Sequence, residues 1–327
     1  MRRHVSGSWA VRILVGLLVL GSALPAHALM FEEQRLSDGH WILLARDCGK
    51  RQSDNCTKKE LEGFSGPGMY PRVNASPEYY EGDAARLRSL LGKRSYDEVR
   101  LFSNGGDLDE GIKFGQVLRE FQATVRVYGS DACISACTVA FLGGLFRFID
   151  KEATYQVHAY SRRMHGLPSD LLNRLRFDPE GELKRFATEE LRGDQGARWW
   201  AQRLFAYFQA ALLPLGSSGP NTARLNRWLR EQTSLPNYLT SSKLQEDAER
   251  IRIEGEPAAQ EIAMRIERDS MEQAISELRP LLPELGSRAE PALNMLETMF
   301  TSRIMNTATL SQETLVKMGY VTRIIKP

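Results

Sequence analysis

The feature that most constrains the fold is an alternation of short apolar strands and helical segments between residues 96 and 160. The strand patterns "YDEVRLFS", "TVRVYG" and "ATYQVHAY" are separated by the helical patterns "GIKFGQVLREFQA" and "SACTVAFLGG". Strands that alternate with helices form βαβ units, and such units build a mostly parallel sheet covered by helices. We therefore predict an α/β core.

Segments on either side of this alternation extend the core and add a helical region. "GHWILLARD" (39–47) predicts a strand, and "DAARLRSLLGK" (83–93) predicts a helix from its apolar spacing. From residue 166 to residue 300 the spacing is helical, and "LFAYFQAALLPL" within it indicates a core helix or a surface facing a membrane or partner. The C-terminal "LSQETLVKMGYVTRII" predicts a short helix ended by Gly319, then a strand.

The N-terminal sequence has the pattern of a secretory signal peptide. Arg2 and Arg3 precede an apolar run from Ile13 to Leu24, and the small residues "AHA" predict cleavage after Ala28. A retained membrane anchor is the alternative, although the run is short for a span of about 20 residues. We expect the protein to be exported, either periplasmic or secreted, and the domains to be 1–28 signal peptide, 29–165 α/β core, 166–300 helical insertion and 301–327 the end of the core.

Charge and cysteine content narrow the function classes. Loss of the leader removes three arginines and no acid, which takes the formal net charge from +2 to −1. Without a basic excess, nucleic acid is not an expected partner. Four cysteines, all after the leader, fit an oxidising compartment, and we favour the local pairs Cys48–Cys56 and Cys133–Cys137 among the three pairings. The second pair requires Cys133 to lie before the helix begins, because helical positions four apart hold their Cβ atoms too far apart.

Three features within the predicted α/β core suit one kind of chemistry. Gly105 and Gly106 follow a strand and precede a helix, where backbone N–H groups approach a ligand closely or simply form a tight turn. Ser135 opens a helix, whose N-terminal donors favour an oxyanion, although an N-cap serine is equally ordinary there. His158 ends a strand, where a histidine is either structural or a base.

The order of these features resembles the ClpP/crotonase superfamily, and in particular the Clp-type serine peptidases and their exported relatives. The similarity covers about residues 95–160 and 303–325, in the segments "LFSNGGDLDEG", "DACISACTVAFLGGLFRFID", "ATYQVH" and "TATLSQETLVKMGYVTRI". Gly143 or Gly144 and Arg147 match the glycine and arginine that follow the nucleophile in that family. The resemblance implies a ClpP/crotonase-like core of ββα and βαβ units, interrupted here by a large all-helical insertion.

If these family roles apply, Ser135 is the nucleophile and His158 the general base. The N–H of Ala136 and one from Gly105 or Gly106 form the oxyanion hole. The family's aspartate falls near Thr307 in this sequence, where no acid is present, so Asn306 is the candidate third member. Asp131, Asp150 and Asp170 are candidate substitutes from elsewhere in the chain.

The sequence therefore predicts an exported serine hydrolase, most simply a peptidase, that acts on peptide or protein substrates. The alternative is a weak or inactive ClpP-like binding or scaffold protein of the cell envelope. Acyl-CoA chemistry is a third hypothesis, and the expected export of the protein argues against it. No cofactor is expected, and His40 and His165 have no companions at metal-ligand spacing. The helical insertion is a candidate surface for an envelope partner or a homo-oligomer.

Overall fold

The computed structural model of the chain describes residues 29–47, 79, 81–158, 167–217, 219–231, 234–301 and 308–325. The predicted signal peptide, Cys48, Cys56 and Asn306 lie outside these residues. Within them, the strands are β1 (Leu29–Arg35), β2 (Trp41–Asp47), β3 (Glu98–Phe102), β4 (Thr124–Val127), β5 (Ala132–Ile134), β6 (Phe146–Asp150), β7 (Thr154–Val157), β8 (Ala308–Thr309) and β9 (Arg323–Ile325).

The same residues contain helices that cover the sheets and fill the region from residue 169 to residue 301. They are α1 (Asp83–Lys93), α2 (Leu108–Glu120), α3 (Ala136–Leu142), α4 (Ser169–Phe177), α5 (Pro179–Arg192), α6 (Ala197–Leu212), α7 (Thr222–Arg230), α8 (Lys243–Glu254), α9 (Glu256–Leu278), α10 (Leu282–Leu285), α11 (Ala289–Thr301) and α12 (Gln312–Lys317). Short 3₁₀ helices span Asn237–Thr240 and Arg279–Leu281.

Two sheets form the α/β part. The larger has the order β1-β2-β3-β4-β6-β9, in which only β1 runs antiparallel to its neighbour. The smaller has the order β5-β7-β8, with β5 parallel and β8 antiparallel to β7. This α/β architecture, with a mixed sheet and many helices, confirms the predicted fold class.

Residue alternation explains how the larger sheet is covered. Val99 and Leu101 of β3 and Val125 and Val127 of β4 are buried in the core. On the opposite face Arg126 forms an ion pair of 2.7 Å with Asp150. Strand side chains point to alternate faces, so one face of the sheet packs under helices while the other carries paired charges.

Glycines let the helices next to the candidate nucleophile approach each other closely. A Cβ on Gly143, at the end of α3, would lie 1.9 Å from the carbonyl oxygen of Gly115 in α2. A Cβ on Gly115 would lie 1.8 Å from the hydroxyl of Tyr207 in α6. That hydroxyl donates to the Val139 carbonyl at 2.7 Å. Helix α6 of the predicted insertion is therefore packed directly onto the α/β core.

The helical region contributes to two hydrophobic cores. Helices α6 and α11 and the second half of α9 join the core of the α/β part. Helices α4, α5 and α8 and the first half of α9 form a separate core around Leu183, Phe186 and Ile262. In the segment "LFAYFQAALLPL", Leu204, Phe205 and Phe208 are fully buried, which supports the interpretation of this segment as a core helix. Among the described helices none combines the length and the apolar character that a bilayer span requires.

Several element boundaries differ from the sequence expectations. Strands β1, β5, β6 and β8 were not predicted, and the terminal strand begins at Arg323 rather than at residue 320. The helical stretch after residue 166 divides at Asp178, whose carboxylate accepts the Gly181 N–H at 3.0 Å and so starts α5. Pro179 at the first helical position fits this new start, since proline lacks an N–H that a helix start leaves unpaired anyway.

Candidate functional site

Ser135 lies at a sharp turn between β5 and α3. Its backbone has φ 56° and ψ −125°, in the left-handed half of conformational space that non-glycine residues seldom adopt. Its N–H donates to the Gln156 carbonyl at 3.0 Å, and its carbonyl accepts the Thr138 N–H at 2.9 Å. Although Ser135 is at the N-cap position, its side chain makes no capping hydrogen bond. Helix capping therefore does not explain this serine.

A disulfide between Cys133 and Cys137 spans the turn that carries Ser135. Cys133 lies within β5 and Cys137 in the first turn of α3, with Cα atoms 5.2 Å apart. Because Cys133 precedes the helix, the bridge closes as the sequence analysis required, and this predicted pair is confirmed. Both cysteines are fully buried, so the bridge is a structural constraint on the turn. The predicted Cys48–Cys56 pair lies outside the described residues.

The Gly105–Gly106 turn lies directly against Ser135. A Cβ on Gly105 would lie 2.4 Å from the Cβ of Ser135 and 3.0 Å from the Ala136 nitrogen. The φ values of Gly105 and Gly106 are 112° and 131°, which favour glycine. Ser103, just before the turn, exchanges backbone hydrogen bonds of 3.0 Å with Ala132 and Ile134 of β5. The structure thus brings together the predicted glycine turn and the predicted nucleophile.

Tyr79 fixes the other edge of this turn. Its N–H donates to the Gly105 carbonyl at 2.7 Å, and its carbonyl accepts the Asp107 N–H at 3.0 Å. In this parallel pairing the two bonds flank Gly106, whose own N–H points away from Tyr79. The carboxylate of Asp47 also accepts the Asn104 N–H at 2.6 Å. Neither Tyr79 nor Asp47 was identified from sequence, because both contacts join residues distant along the chain.

Two backbone donors near Ser135 remain available to a ligand. The Gly105 N–H donates to the Ser103 hydroxyl at 3.1 Å, which leaves Gly106 as the donor from the turn. Within the described part of the chain, the N–H groups of Gly106 and Ala136 make no hydrogen bond. Unpaired N–H groups beside a serine are the arrangement that stabilises an oxyanion.

The pairing of β5 with β7 brings His158 to the same end of the smaller sheet as Ser135. In this register Ile134 lies opposite Gln156, and the Ser135 N–H donates to the carbonyl of that glutamine. His158 follows two residues later, immediately after β7, and is half-buried. Since neighbouring strands are about 4.8 Å apart, the two residues occupy adjacent ends of adjacent strands.

Two of the three candidate substitutes for the missing acid, Asp131 and Asp150, lie near the start of β7, away from His158. The Asp131 backbone pairs with Thr154, at the start of β7, four residues before His158. Burial raises the pKa of Asp131 to about 6. Asp150 forms an ion pair with Arg126 at 2.7 Å, and Asp170 forms one with Arg174 at 2.7 Å. Asn306 lies outside the described residues; two residues later the chain enters β8, where Ala308 pairs with Val157.

Arg147 has a structural role that the sequence motif did not reveal. The side chain is 6% exposed, and burial lowers the pKa of its guanidinium to about 10. It donates to five backbone carbonyls, those of Leu142, Gly144, Ala211, Gly319 and Tyr320. These carbonyls belong to the end of α3, to α6 and to the C-terminal segment. Arg147 therefore joins the serine-bearing helix to the helical region and to the end of the chain.

Other features of the molecule lie away from Ser135. A cavity of about 530 Å³ between α2 and α6 is lined by residues such as Ile112, Arg119 and Trp199, and none of the predicted site residues lines it. Within the described residues no group of three or more His, Cys, Asp or Glu side chains is arranged to hold a metal ion.

The chain matches no protein-family model and no curated protein. Among solved structures it is similar to a point variant of ClpP1 from Listeria monocytogenes, at 15% identity and TM-score 0.29, over 76% of this chain and 88% of that one. An enoyl-CoA hydratase from Mycobacterium marinum matches at 14% identity and TM-score 0.25, over 79% of this chain and 100% of that one. A membrane-bound stomatin-specific protease matches at 15% identity and TM-score 0.22, over 35% of this chain and 60% of that one. The matched proteins include peptidases and a hydratase, and a similarity at these TM-scores and identities assigns neither activity to this chain.

Proposed function

We propose that this protein is an exported serine hydrolase, and most simply a peptidase, with Ser135 as its nucleophile. The observation that carries the proposal is the backbone of Ser135, at φ 56° and ψ −125°, together with a side chain that does not cap the helix. Such backbone strain costs about 1–3 kcal/mol and persists where the surrounding structure enforces it, which is common at catalytic residues. Nucleophilic serines of another fold class sit on comparably strained strand-to-helix turns.

The proposed reaction is acyl transfer in two steps. The Ser135 hydroxyl oxygen attacks the substrate carbonyl carbon while His158 accepts the hydroxyl proton. The N–H groups of Gly106 and Ala136 stabilise the negative oxygen of the tetrahedral intermediate. Its collapse breaks the bond to the leaving amine, which takes the proton from His158. Water then attacks the acyl-enzyme carbonyl carbon while His158 accepts its proton, and collapse breaks the bond to the Ser135 oxygen, which takes that proton from His158 as the acid is released.

We propose Asn306 as the group that orients His158, in the place where the resembled family has an aspartate. Supporting this, the chain just after Asn306 pairs with the strand that ends before His158. Replacing the triad aspartate with an amide costs about 10⁴ in kcat in the worked serine-protease case, so a slow enzyme is expected. The variant Asn306→Asp should then raise the rate of peptide hydrolysis. No gain in this folded variant would remove Asn306 from the proposal.

Export to the periplasm or the medium is part of the proposal. It is supported by the leader pattern of residues 1–28 and by the Cys133–Cys137 disulfide, which suits an oxidising compartment. Peptides or unfolded proteins are the proposed substrates. The helical region between residues 166 and 300 is the proposed surface for an envelope partner or a second copy of the chain.

A second candidate is an inactive binding or scaffold protein built on the same core. The positions of Asp131 and Asp150 favour it, because both lie near the start of β7, at the opposite end of that strand from His158. The two functions are separated by incubating the purified mature protein with a mixture of denatured protein and ester substrates and identifying products by mass spectrometry. Products made by the wild type and lost in Ser135→Ala support the hydrolase. Equal product formation by both proteins rejects Ser135 as the nucleophile.

A further inference from the structure

The predicted leader cleavage would create a new charged group at a buried site. The backbone nitrogen of Leu29, the residue after the cleavage point, donates to the Asp83 carboxylate at 3.4 Å. Leu29 is 2% exposed and Asp83 is 0% exposed. In the uncleaved chain this nitrogen is a neutral amide. After cleavage behind Ala28 it becomes an α-ammonium, whose usual pKa is about 7.7–8.0.

The surroundings of this nitrogen are acidic. Leu29 of β1 lies opposite Asp47 of β2, which is 5% exposed. The carboxylates of Asp47 and Asp83 both raise the pKa of the buried Tyr79 phenol, which burial already holds well above 10. The third nearby carboxylate is Glu110 of α2, which accepts the N–H groups of Gly82 and Ala84. Among the described residues, the cations in this cluster include Arg86, which donates to the Leu29 carbonyl at 3.5 Å, and Lys113, which pairs with Glu110 at 3.3 Å.

These contacts lead to the turn that faces Ser135. Asp47 accepts the Asn104 N–H, and the Tyr79 backbone holds Gly105 and Asp107. A charge on the Leu29 nitrogen contacts Asp83 and belongs to the residue opposite Asp47, whose carboxylate holds the segment that carries the Gly106 donor. A close cation strongly favours the charged form of a buried carboxylate.

We propose that leader removal matures the site, because the new α-ammonium of Leu29 forms a buried ion pair with Asp83 that supports the Asn104–Gly106 turn. The part of this inference that concerns activity rests on the proposed hydrolase function. Since Leu29 is buried at the start of β1, cleavage has to precede folding, as it does when a signal peptide is removed during translocation. Export and formation of the site are thereby coupled in one event.

The first experiment is a coupling measurement on the full mature chain. One form begins at Leu29, and a second carries Gly-Ser before Leu29, which restores a neutral amide at that nitrogen. Each is made with Asp83→Asn and, as a matched control, with Asp170→Asn, an exposed aspartate also in the first turn of a helix. Asp83→Asn should lower the melting temperature much more in the form that begins at Leu29, while Asp170→Asn shifts both forms equally. Equal shifts for Asp83→Asn overturn the ion pair.

A second measurement needs no substitution, in case Asp83→Asn does not fold. The α-amine of the Leu29 form should react with an amine-labelling reagent at pH 7 at least tenfold more slowly than the α-amine of the Gly-Ser form. Equal labelling rates overturn the proposal. Recovery of an exported protein whose first residue is not Leu29 also overturns it.

Reaction with a fluorophosphonate probe separates this inference from the proposed function. The Leu29 form should be labelled at Ser135 several-fold faster than the Gly-Ser form. Equal labelling of both forms, with the ion pair established, rejects maturation of the site. Absence of labelling in both forms rejects the hydrolase function, while the coupling and amine-reactivity results still decide whether the ion pair exists.

Discussion

Replacing Gly105 with alanine tests the close contact between the glycine turn and the strained serine. The new Cβ would lie 2.4 Å from the Ser135 Cβ and 2.8 Å from the Ile134 carbonyl oxygen, at φ 112°. An L-residue at positive φ costs about 1–2 kcal/mol. Overpacking at a tight contact adds about 1–3 kcal/mol, because backbone rather than a flexible side chain has to move.

Gly39→Ala is the matched control for this variant. Its φ is 93°, also positive, but a Cβ there meets no atom within 4 Å. It should therefore show only the conformational cost of about 1–2 kcal/mol. Urea unfolding of both variants measures the two free energies, and fluorophosphonate labelling reports on the site. We expect Gly105→Ala to lose about 2–5 kcal/mol and most of its labelling, whereas Gly39→Ala keeps its labelling rate. If the two variants lost equal stability and both kept full labelling, the close contact would be refuted.

Three further variants test separate parts of the structure. Asp131→Asn removes a carboxyl group whose pKa is raised by burial to about 6. Because the fold disfavours the charged form of this carboxyl, the wild-type free energy of unfolding should fall as pH rises from about 4 to about 6. The variant should therefore be more stable than the wild type by up to about 3 kcal/mol at pH 7 and equally stable at pH 4. Urea unfolding at both pH values checks this, and an equal effect at both contradicts it. The double variant Cys133→Ala, Cys137→Ala opens a five-residue loop and should lower the free energy of unfolding by about 2 kcal/mol through loop entropy. Ser135 should also be labelled more slowly, and unchanged labelling would show that the bridge does not hold the nucleophile. Arg147→Lys keeps the positive charge, but lysine has no planar group that can donate to five carbonyls. Thermal unfolding should show a loss of stability of at least about 3 kcal/mol. A loss of stability under about 1 kcal/mol would contradict the cross-linking role of Arg147.

The α/β core could be predicted from sequence because β3, α2, β4, α3 and β7 follow one another with clear apolar patterns. Strand β6 was not predicted because the burial of its residues is the reverse of what their polarity suggests. Phe146 is 49% exposed, whereas Arg147 is 6% exposed and hydrogen-bonded to carbonyls. Strand β5 was not predicted because its three residues, Ala132–Ile134, are too few to show the apolar–polar alternation of a strand.

The candidate site was predictable in its residue types but not in its geometry. Sequence order indicated Ser135, the glycine turn and His158, and it allowed the Cys133–Cys137 bridge on the condition that the structure meets. The hydrogen bond from the Ser135 N–H to the Gln156 carbonyl joins residues distant along the chain, and no local pattern encodes it. The role of Tyr79 was not predicted for the same reason, since Tyr79 is hydrogen-bonded to Gly105, which lies 26 positions later in the sequence.

The most direct test of the central claim is covalent labelling of the mature protein with a fluorophosphonate probe, followed by peptide mapping of the adduct. We predict a single adduct on Ser135, lost in both Ser135→Ala and His158→Ala. Ser311→Ala is the control, because Ser311 is an N-cap serine at an ordinary φ of −64° whose side chain accepts the Thr314 N–H, and its loss should leave labelling unchanged. Folded wild-type protein with its Cys133–Cys137 bridge formed and no adduct on Ser135 would contradict the claim that this turn holds an activated nucleophile.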